Sequence, residues 1–76
     1  MTKIKESNTQ HRECDINYII EEDEGKYFVE MWVTVKREGK AQKNKLGFED
    51  GFLSQFEAEN AAIQVARDFI DKNLSP

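Results

Sequence analysis

Residues 25–48 place the strongest constraint on the fold, because they predict two β-strands joined by a tight turn. Apolar and polar side chains alternate along residues 26–37, and β-branched and aromatic residues are frequent there, which is typical of a half-buried strand. Glu38-Gly39 is a two-residue turn signal, and a further strand is predicted over residues 40–48. The pattern therefore predicts an antiparallel hairpin with one apolar face.

The register of this hairpin follows from its turn. If Glu38-Gly39 is the turn, Arg37 pairs with Lys40. The pairs expected farther along the hairpin are Thr34 with Lys43, Trp32 with Lys45, Met31 with Leu46, and Val29 with Phe48. All the apolar pairs fall on one face, and a slip by one residue would destroy that match. The register also predicts that the tryptophan and two lysines share the opposite face.

Two further elements complete the predicted domain. Apolar and polar residues alternate over residues 14–21, which predicts a strand before the hairpin, and Gly25 supplies the turn between them. Ser54 followed by Glu57 forms a capping box, which predicts the start of a helix. Apolar residues, several of them alanines, recur at helical spacing over residues 58–74. These small residues allow the helix to lie close to a sheet.

The predicted fold class is α+β, a two-layer β-β-β-α arrangement. One C-terminal helix packs on one face of a three-stranded antiparallel meander, and the other face stays open, because such a sheet needs a cover on at least one side. Residues 1–12 are polar and are predicted to be a flexible tail, whereas residues 13–76 are predicted to form a single domain. A chain of this size buries only about 60% of its unfolded surface. It has little room for a deep catalytic pocket.

Basic residues concentrate in the hairpin although the chain is acidic overall. Residues 36–45 hold five of the 11 lysines and arginines and one glutamate, a net charge of +4. Because the whole chain carries −4, the other 66 residues carry −8. A basic surface beside an aromatic ring attracts an anionic partner. The predicted binding residues lie on the open sheet face and the basic hairpin: Phe28, Trp32, Thr34, Lys36, Arg37, Lys40, Lys43 and Lys45.

No pattern in the chain indicates catalysis. The one histidine, His11, and the one cysteine, Cys14, could supply only two metal ligands, whereas a structural zinc site takes four. There is no glycine-rich phosphate loop. We therefore predict a non-enzymatic protein with no catalytic residue, metal, cofactor or small-molecule substrate.

The sequence favours a cytoplasmic location. A single cysteine cannot form an internal disulfide, and residues 1–12 lack the apolar core of a secretion signal. No apolar run approaches the roughly 20 residues that a membrane-spanning helix needs. A membrane is therefore not among the expected partners.

Three kinds of partner are compatible with the sequence. The favoured prediction is contact with a protein, either a different one or a second copy of this chain, because an exposed apolar patch marks an interaction surface. DNA or a single-stranded nucleic acid is the second alternative, since aromatic rings stack on bases and lysines neutralise phosphates. The third is that the protein is a small acidic inhibitor that docks on a basic partner.

Several short segments are similar to a known DNA-binding family. They are Gly25-Lys26-Tyr27, Trp32-Val33, Gly39-Lys40, Gly47-Phe48 and Phe56-Glu57-Ala58-Glu59. Over residues 25–62 they resemble the arm-type DNA-binding domain of tyrosine recombinases, in which a three-stranded sheet enters a DNA groove. The resemblance implies that Trp32, Thr34, Lys36, Lys43 and Lys45 face DNA. The chain also resembles small stand-alone bacterial β-β-β-α proteins of unknown function, which implies a fold and no activity.

Overall fold

The computed structural model describes residues 1–75 and shows four antiparallel strands followed by one helix. The strands are β1 (Thr2–His11), β2 (Cys14–Asp23), β3 (Lys26–Arg37) and β4 (Lys40–Gly47), and the helix is α1 (Gln55–Leu74). The order in the sheet is β1-β2-β3-β4, so every strand pairs with its neighbour in the chain. The predicted α+β class with a helix on a sheet is confirmed.

The predicted number of strands is wrong, because the segment expected to be a flexible tail forms β1. This strand pairs with β2 from one end to the other, with a register irregularity between Lys3 and Lys5. Its one large apolar residue, Ile4, lies at that irregularity and is exposed. The strand therefore has no apolar face, and backbone pairing and polar side-chain contacts stabilise it instead.

Glycine-containing turns close the two hairpins that the sequence predicts. Glu24 and Gly25 have φ values of 50° and 82°, and Glu38 and Gly39 have 52° and 77°. Positive φ at both central residues defines the type I′ turn, whose twist matches that of the paired strands. Glycine takes the second position at no steric cost.

The turn between β1 and β2 has the same backbone shape without a glycine. Arg12 and Glu13 have φ values of 52° and 65°. Residues with a Cβ atom seldom adopt this left-handed conformation. Because both residues look ordinary in the sequence, the first hairpin carries no turn signal.

The hydrophobic core lies between α1 and the two central strands. Alternate residues of β2 and β3 point toward the helix and are buried, as period-two alternation requires. The buried set is Cys14, Ile16, Tyr18, Ile20, Met31, Val33, Val35, Ala58, Ala62, Ala66 and Ile70. The helix contributes three alanines and one isoleucine to this set, so its backbone can approach the sheet closely. Within residues 1–75, no helix covers the opposite side of the sheet.

The hairpin of β3 and β4 has the register predicted from the sequence. Trp32 pairs with Lys45, and Met31 pairs with Leu46. The ladder stops at Gly47, one residue before the predicted end of the strand, so the expected pairing of Phe48 is not formed. Phe48 packs edge-to-face on Phe52 instead, with ring centroids 5.5 Å apart.

The helix begins at the predicted N-cap. The side-chain oxygen of Ser54 accepts a hydrogen bond of 3.1 Å from the backbone N–H of Glu57. This bond satisfies one of the four N–H groups that lack a partner within the helix. The carboxylate of Glu57 also suits the positive end of the helix dipole.

Two carboxylates of α1 hold β1 against the helix. Glu59 accepts a hydrogen bond from the Lys5 ammonium. Asp71 Oδ1 lies 2.8 Å from His11 Nε2 and 3.2 Å from Arg12 Nη1. The hydrogen bond from Lys5 lowers the pKa of Glu59, and that with His11 lowers the pKa of Asp71. Polar contacts thus tie β1 to the helix at Lys5, in its N-terminal half, and at His11, its last residue.

We expect Asp71→Asn to destabilise the protein near neutral pH and to have little effect in acid. The folded-state pKa of Asp71 is depressed, so its carboxylate stabilises the fold above the unfolded-state pKa. That contribution is lost as the pH falls through the folded-state value. Urea unfolding at about pH 7 and about pH 3 should show the difference between the variant and the wild type shrinking toward zero.

Asp68→Asn is the matched control for this measurement. Asp68 lies on the same helix and accepts a hydrogen bond from Gln64. Within residues 1–75 it forms no ion pair. An equal pH-dependent loss in both variants would show that the contact between Asp71 and β1 does not stabilise the fold.

Candidate binding site on the open sheet face

We call the side of the sheet that faces away from α1 the open face. Its residues follow from the strand register and from the alternation of side chains along each strand. They are Lys3, Glu6, Asn8 and Gln10 of β1; Asp15, Asn17, Ile19 and Glu21 of β2; Phe28, Glu30, Trp32, Thr34 and Lys36 of β3; and Ala41, Lys43, Lys45 and Gly47 of β4. Most of them are polar, and the large apolar members are Ile19, Phe28 and Trp32.

A tryptophan with two lysines beside it lies near the centre of the open face. Trp32 is half-buried. The Nζ atoms of Lys43 and Lys45 lie 6.0 and 5.7 Å from the centroid of its ring. Each such cation–π contact is worth about 0.5–1 kcal/mol at an exposed site. We call these three residues the Trp32 cluster.

A shallow depression adjoins Trp32 on the side of β1 and β2. Its volume is about 440 Å³, and its lining includes Glu6, Asn8, Asn17, Ile19 and Trp32. Two of these residues belong to β1. The depression could not be predicted from the sequence, because the segment that forms one of its walls carries no strand pattern.

The charges of the open face are divided between its two halves. The acidic half, on β1 and β2, holds three carboxylates and one ammonium, a net charge of −2: Glu6, Asp15, Glu21 and Lys3. The basic half, on β3 and β4, holds three ammoniums and one carboxylate, a net charge of +2: Lys36, Lys43, Lys45 and Glu30. The face as a whole is therefore neutral and strongly polarised.

Some of these charges pair within the chain. Lys36 Nζ lies 3.2 Å from Asp15 Oδ2, and Lys45 Nζ lies 3.3 Å from Glu30 Oε1. Exposed pairs of this kind are worth about 0–1 kcal/mol, so they can exchange for other partners at little cost. Among the residues that the structure describes, Lys43 has no carboxylate within ion-pair distance.

The eight predicted binding residues lie in three different environments in the structure. Five of them share the central part of the open face: Trp32, Thr34, Lys36, Lys43 and Lys45. Phe28 is on the same face, but its ring packs against the backbone of Gly51. A Cβ atom added at Gly51 would lie 2.9 Å from two carbons of that ring. Phe28 therefore holds the loop before α1.

The other two predicted residues, Arg37 and Lys40, are on the helix side of the sheet. Arg37 Nη1 donates a hydrogen bond of 3.0 Å to the backbone oxygen of Asn73, near the end of α1. Both basic residues line a groove of about 350 Å³ between the hairpin and the helix end. The basic residues of the hairpin thus form two groups on opposite faces.

The two residues considered as metal ligands have other surroundings. The ring of His11 contacts Asp71, and Cys14 is buried in the core. Across residues 1–75, no group of three histidine, cysteine or acidic side chains is placed to hold a metal ion. Over the same residues, α1 is too polar to cross a membrane.

The two most exposed large apolar side chains of residues 1–75 lie outside the open face. They are Leu53, with 76% of its surface accessible, and Phe56, with 75%. Both lie at the start of α1. Helical periodicity gave no indication of this exposure, because the sequence around the N-cap is apolar on several sides.

Comparisons with known proteins found no match among family models, curated proteins or solved structures. The likeness to the arm-type domain of tyrosine recombinases stays a prediction, as does the likeness to small bacterial β-β-β-α proteins. The case for a function therefore rests on the geometry and charge of the open face.

Proposed function

We propose that the protein is a small non-enzymatic, cytoplasmic binding module that contacts another protein through the open face. The observation that carries this proposal is the half-buried Trp32 beside a depression on an otherwise polar surface. Tryptophan is enriched among the few residues that dominate protein interfaces. Polar groups around such an anchor form the rim of a typical interface.

The charges of the open face favour a protein over a nucleic acid. A nucleic-acid surface neutralises several phosphates with lysine or arginine, whereas this face has as many carboxylates as ammoniums. Glu30 lies in the middle of the basic half and already pairs with Lys45. Both lysines of the Trp32 cluster lie close to the ring, where a stacked base would compete with them.

DNA or single-stranded nucleic acid binding is the second candidate. It is favoured by the three lysines of the basic half, two of which, Lys43 and Lys45, lie beside Trp32. Such binding would weaken steeply with salt, because each neutralised phosphate releases counterions. Inhibition of a basic protein is a special case of protein contact, in which the acidic half would meet the partner.

Site-specific crosslinking in the host cell tests the proposal. A photoreactive phenylalanine analogue placed at Thr34, on the open face, is expected to give protein adducts of defined mass. The matched control places the same group at Gln64, on the exposed side of α1. Adducts from Thr34 that nuclease digestion removes would overturn the proposal in favour of the second candidate. Identical adducts at both positions would overturn any specific role of the open face.

A further inference from the structure

We propose that the protein partner of the open face is a second copy of this chain. Two copies would stack face to face, related by a two-fold axis that runs parallel to the strands between β2 and β3. The inference rests on the proposed function, since it assigns the occupant of the same surface. Three features of the open face support it: its charge division, its depression and its size.

The charge division makes the open face complementary to itself. Rotation about an axis parallel to the strands exchanges the two edges of the sheet, so the basic half (+2) of each copy meets the acidic half (−2) of the other. An axis perpendicular to the strands would place like halves together. Like-charge contacts across an interface cost several kcal/mol. The charges thus select the first arrangement.

The strand register places Trp32 over the depression of the other copy. Trp32 and Asn17 are paired across β2 and β3, so they lie on either side of the axis. The rotation brings the Trp32 ring above the partner's Asn17, which lines the depression of about 440 Å³. Each copy would then bury one indole ring in the other, at the centre of the interface where anchoring residues concentrate.

The same rotation gives the lysines new partners. Asn8, Asn17, Trp32 and Lys45 are paired in one line across the four strands. The rotation reverses this line, so Lys45 would meet the partner's Asn8, next to the partner's Glu6. Lys43 lies in the neighbouring line of paired residues, which runs through Thr34 and Asp15 to Gln10, so it would meet the partner's Gln10. Because the pairs within each chain are exposed and weak, these contacts can replace them at little cost.

The open face is large enough for a dimer. The molecule extends 43 Å along its longest axis and 18 Å across the next. A face of this outline covers about 770 Å² on each copy, close to the roughly 800 Å² per partner of a standard interface. Two sheets stacked about 10 Å apart would form a sandwich with the helices outside.

Charge exchange between two variants tests this dimer. Lys43→Glu with Lys45→Glu turns the basic half acidic, and Glu6→Lys with Asp15→Lys turns the acidic half basic. Sedimentation equilibrium is expected to show a dimer for the wild type and a monomer for each double variant. An equimolar mixture of the two variants should form a 1:1 heterodimer, and circular dichroism should confirm that each variant is folded. Trp32 is the only tryptophan, so its emission should shift to longer wavelength when the wild-type dimer is diluted.

A wild-type chain that stays monomeric at about 500 μM would overturn the inference, since that concentration excludes even a weak dimer. A wild-type dimer that both double variants retain would also overturn it, because the interface would then lie elsewhere. These outcomes differ from failure of the proposed function. If the wild type is monomeric but Thr34 crosslinks to a different protein, the dimer is excluded and the proposed function still holds.

Discussion

Replacing Ile20 with alanine is expected to lower the free energy of unfolding by about 2–4 kcal/mol. Ile20 is fully buried between the sheet and α1, so the substitution removes apolar contacts and leaves a cavity. A domain of this size has a total stability of only about 5–10 kcal/mol. Chemical denaturation at low protein concentration, followed by circular dichroism, should show a large fall in the midpoint.

Ile19→Ala is the control for this prediction, because it removes the same atoms from the other face of the same strand. Ile19 is half-buried on the open face, and its truncation is expected to cost about 1 kcal/mol or less. Equal losses at the two positions would mean that α1 does not cover the face assigned to it. Both variants are measured at low protein concentration, so that association through the open face does not contribute to the stability.

Removing residues 1–11 is expected to lower the free energy of unfolding by about 3 kcal/mol, since the cut deletes β1 and its backbone hydrogen bonds. The truncation also removes the contacts of Lys5 with Glu59 and of His11 with Asp71. It leaves β2 as an edge with unpaired backbone groups, which promotes aggregation. Denaturation together with light scattering would measure both effects.

A synthetic peptide of residues 1–11 provides the control. Added to the truncated protein, it should restore part of the lost stability by pairing with β2. A truncated chain as stable as the full one, and unaffected by the peptide, would show that residues 1–11 behave as the flexible tail that their composition suggested.

The parts of the fold that the sequence predicts correctly have strong local signals. The β3–β4 hairpin combines alternating side chains with Glu38-Gly39 at its turn, and these two features are enough to specify its register. The start of α1 has a serine cap and apolar residues at helical spacing. In each case a short stretch of chain contains all the information that its structure requires.

The first strand escaped prediction because its stabilising contacts are distant in the chain. Apart from Ile4, its side chains are polar on both faces, and its turn uses Arg12 and Glu13 where glycine would have been a signal. The partners of Lys5 and His11 lie on α1, more than fifty residues away. The spacing of apolar residues indicates only which side chains are buried. It therefore cannot reveal a strand that backbone pairing and ion pairs stabilise.

The candidate site was predicted only in part for a related reason. Residues close in the sequence of a strand point to opposite faces, so the basic hairpin divides between the open face and the helix side. This alternation separates Arg37 from the lysines of the Trp32 cluster. The packing of Phe28 against Gly51 depends on the path of the loop before α1, which no local pattern specifies.

The strictly sequential strand order has a consequence for how the molecule reaches its native state. Because every strand pairs with its neighbour along the chain, the whole sheet can assemble from hairpins of short loop length. Only the docking of the helix requires closure of a longer loop. Chains with predominantly local pairing fold fast for their size. This chain should therefore spend little time in aggregation-prone intermediates that expose apolar surface and unpaired strand edges.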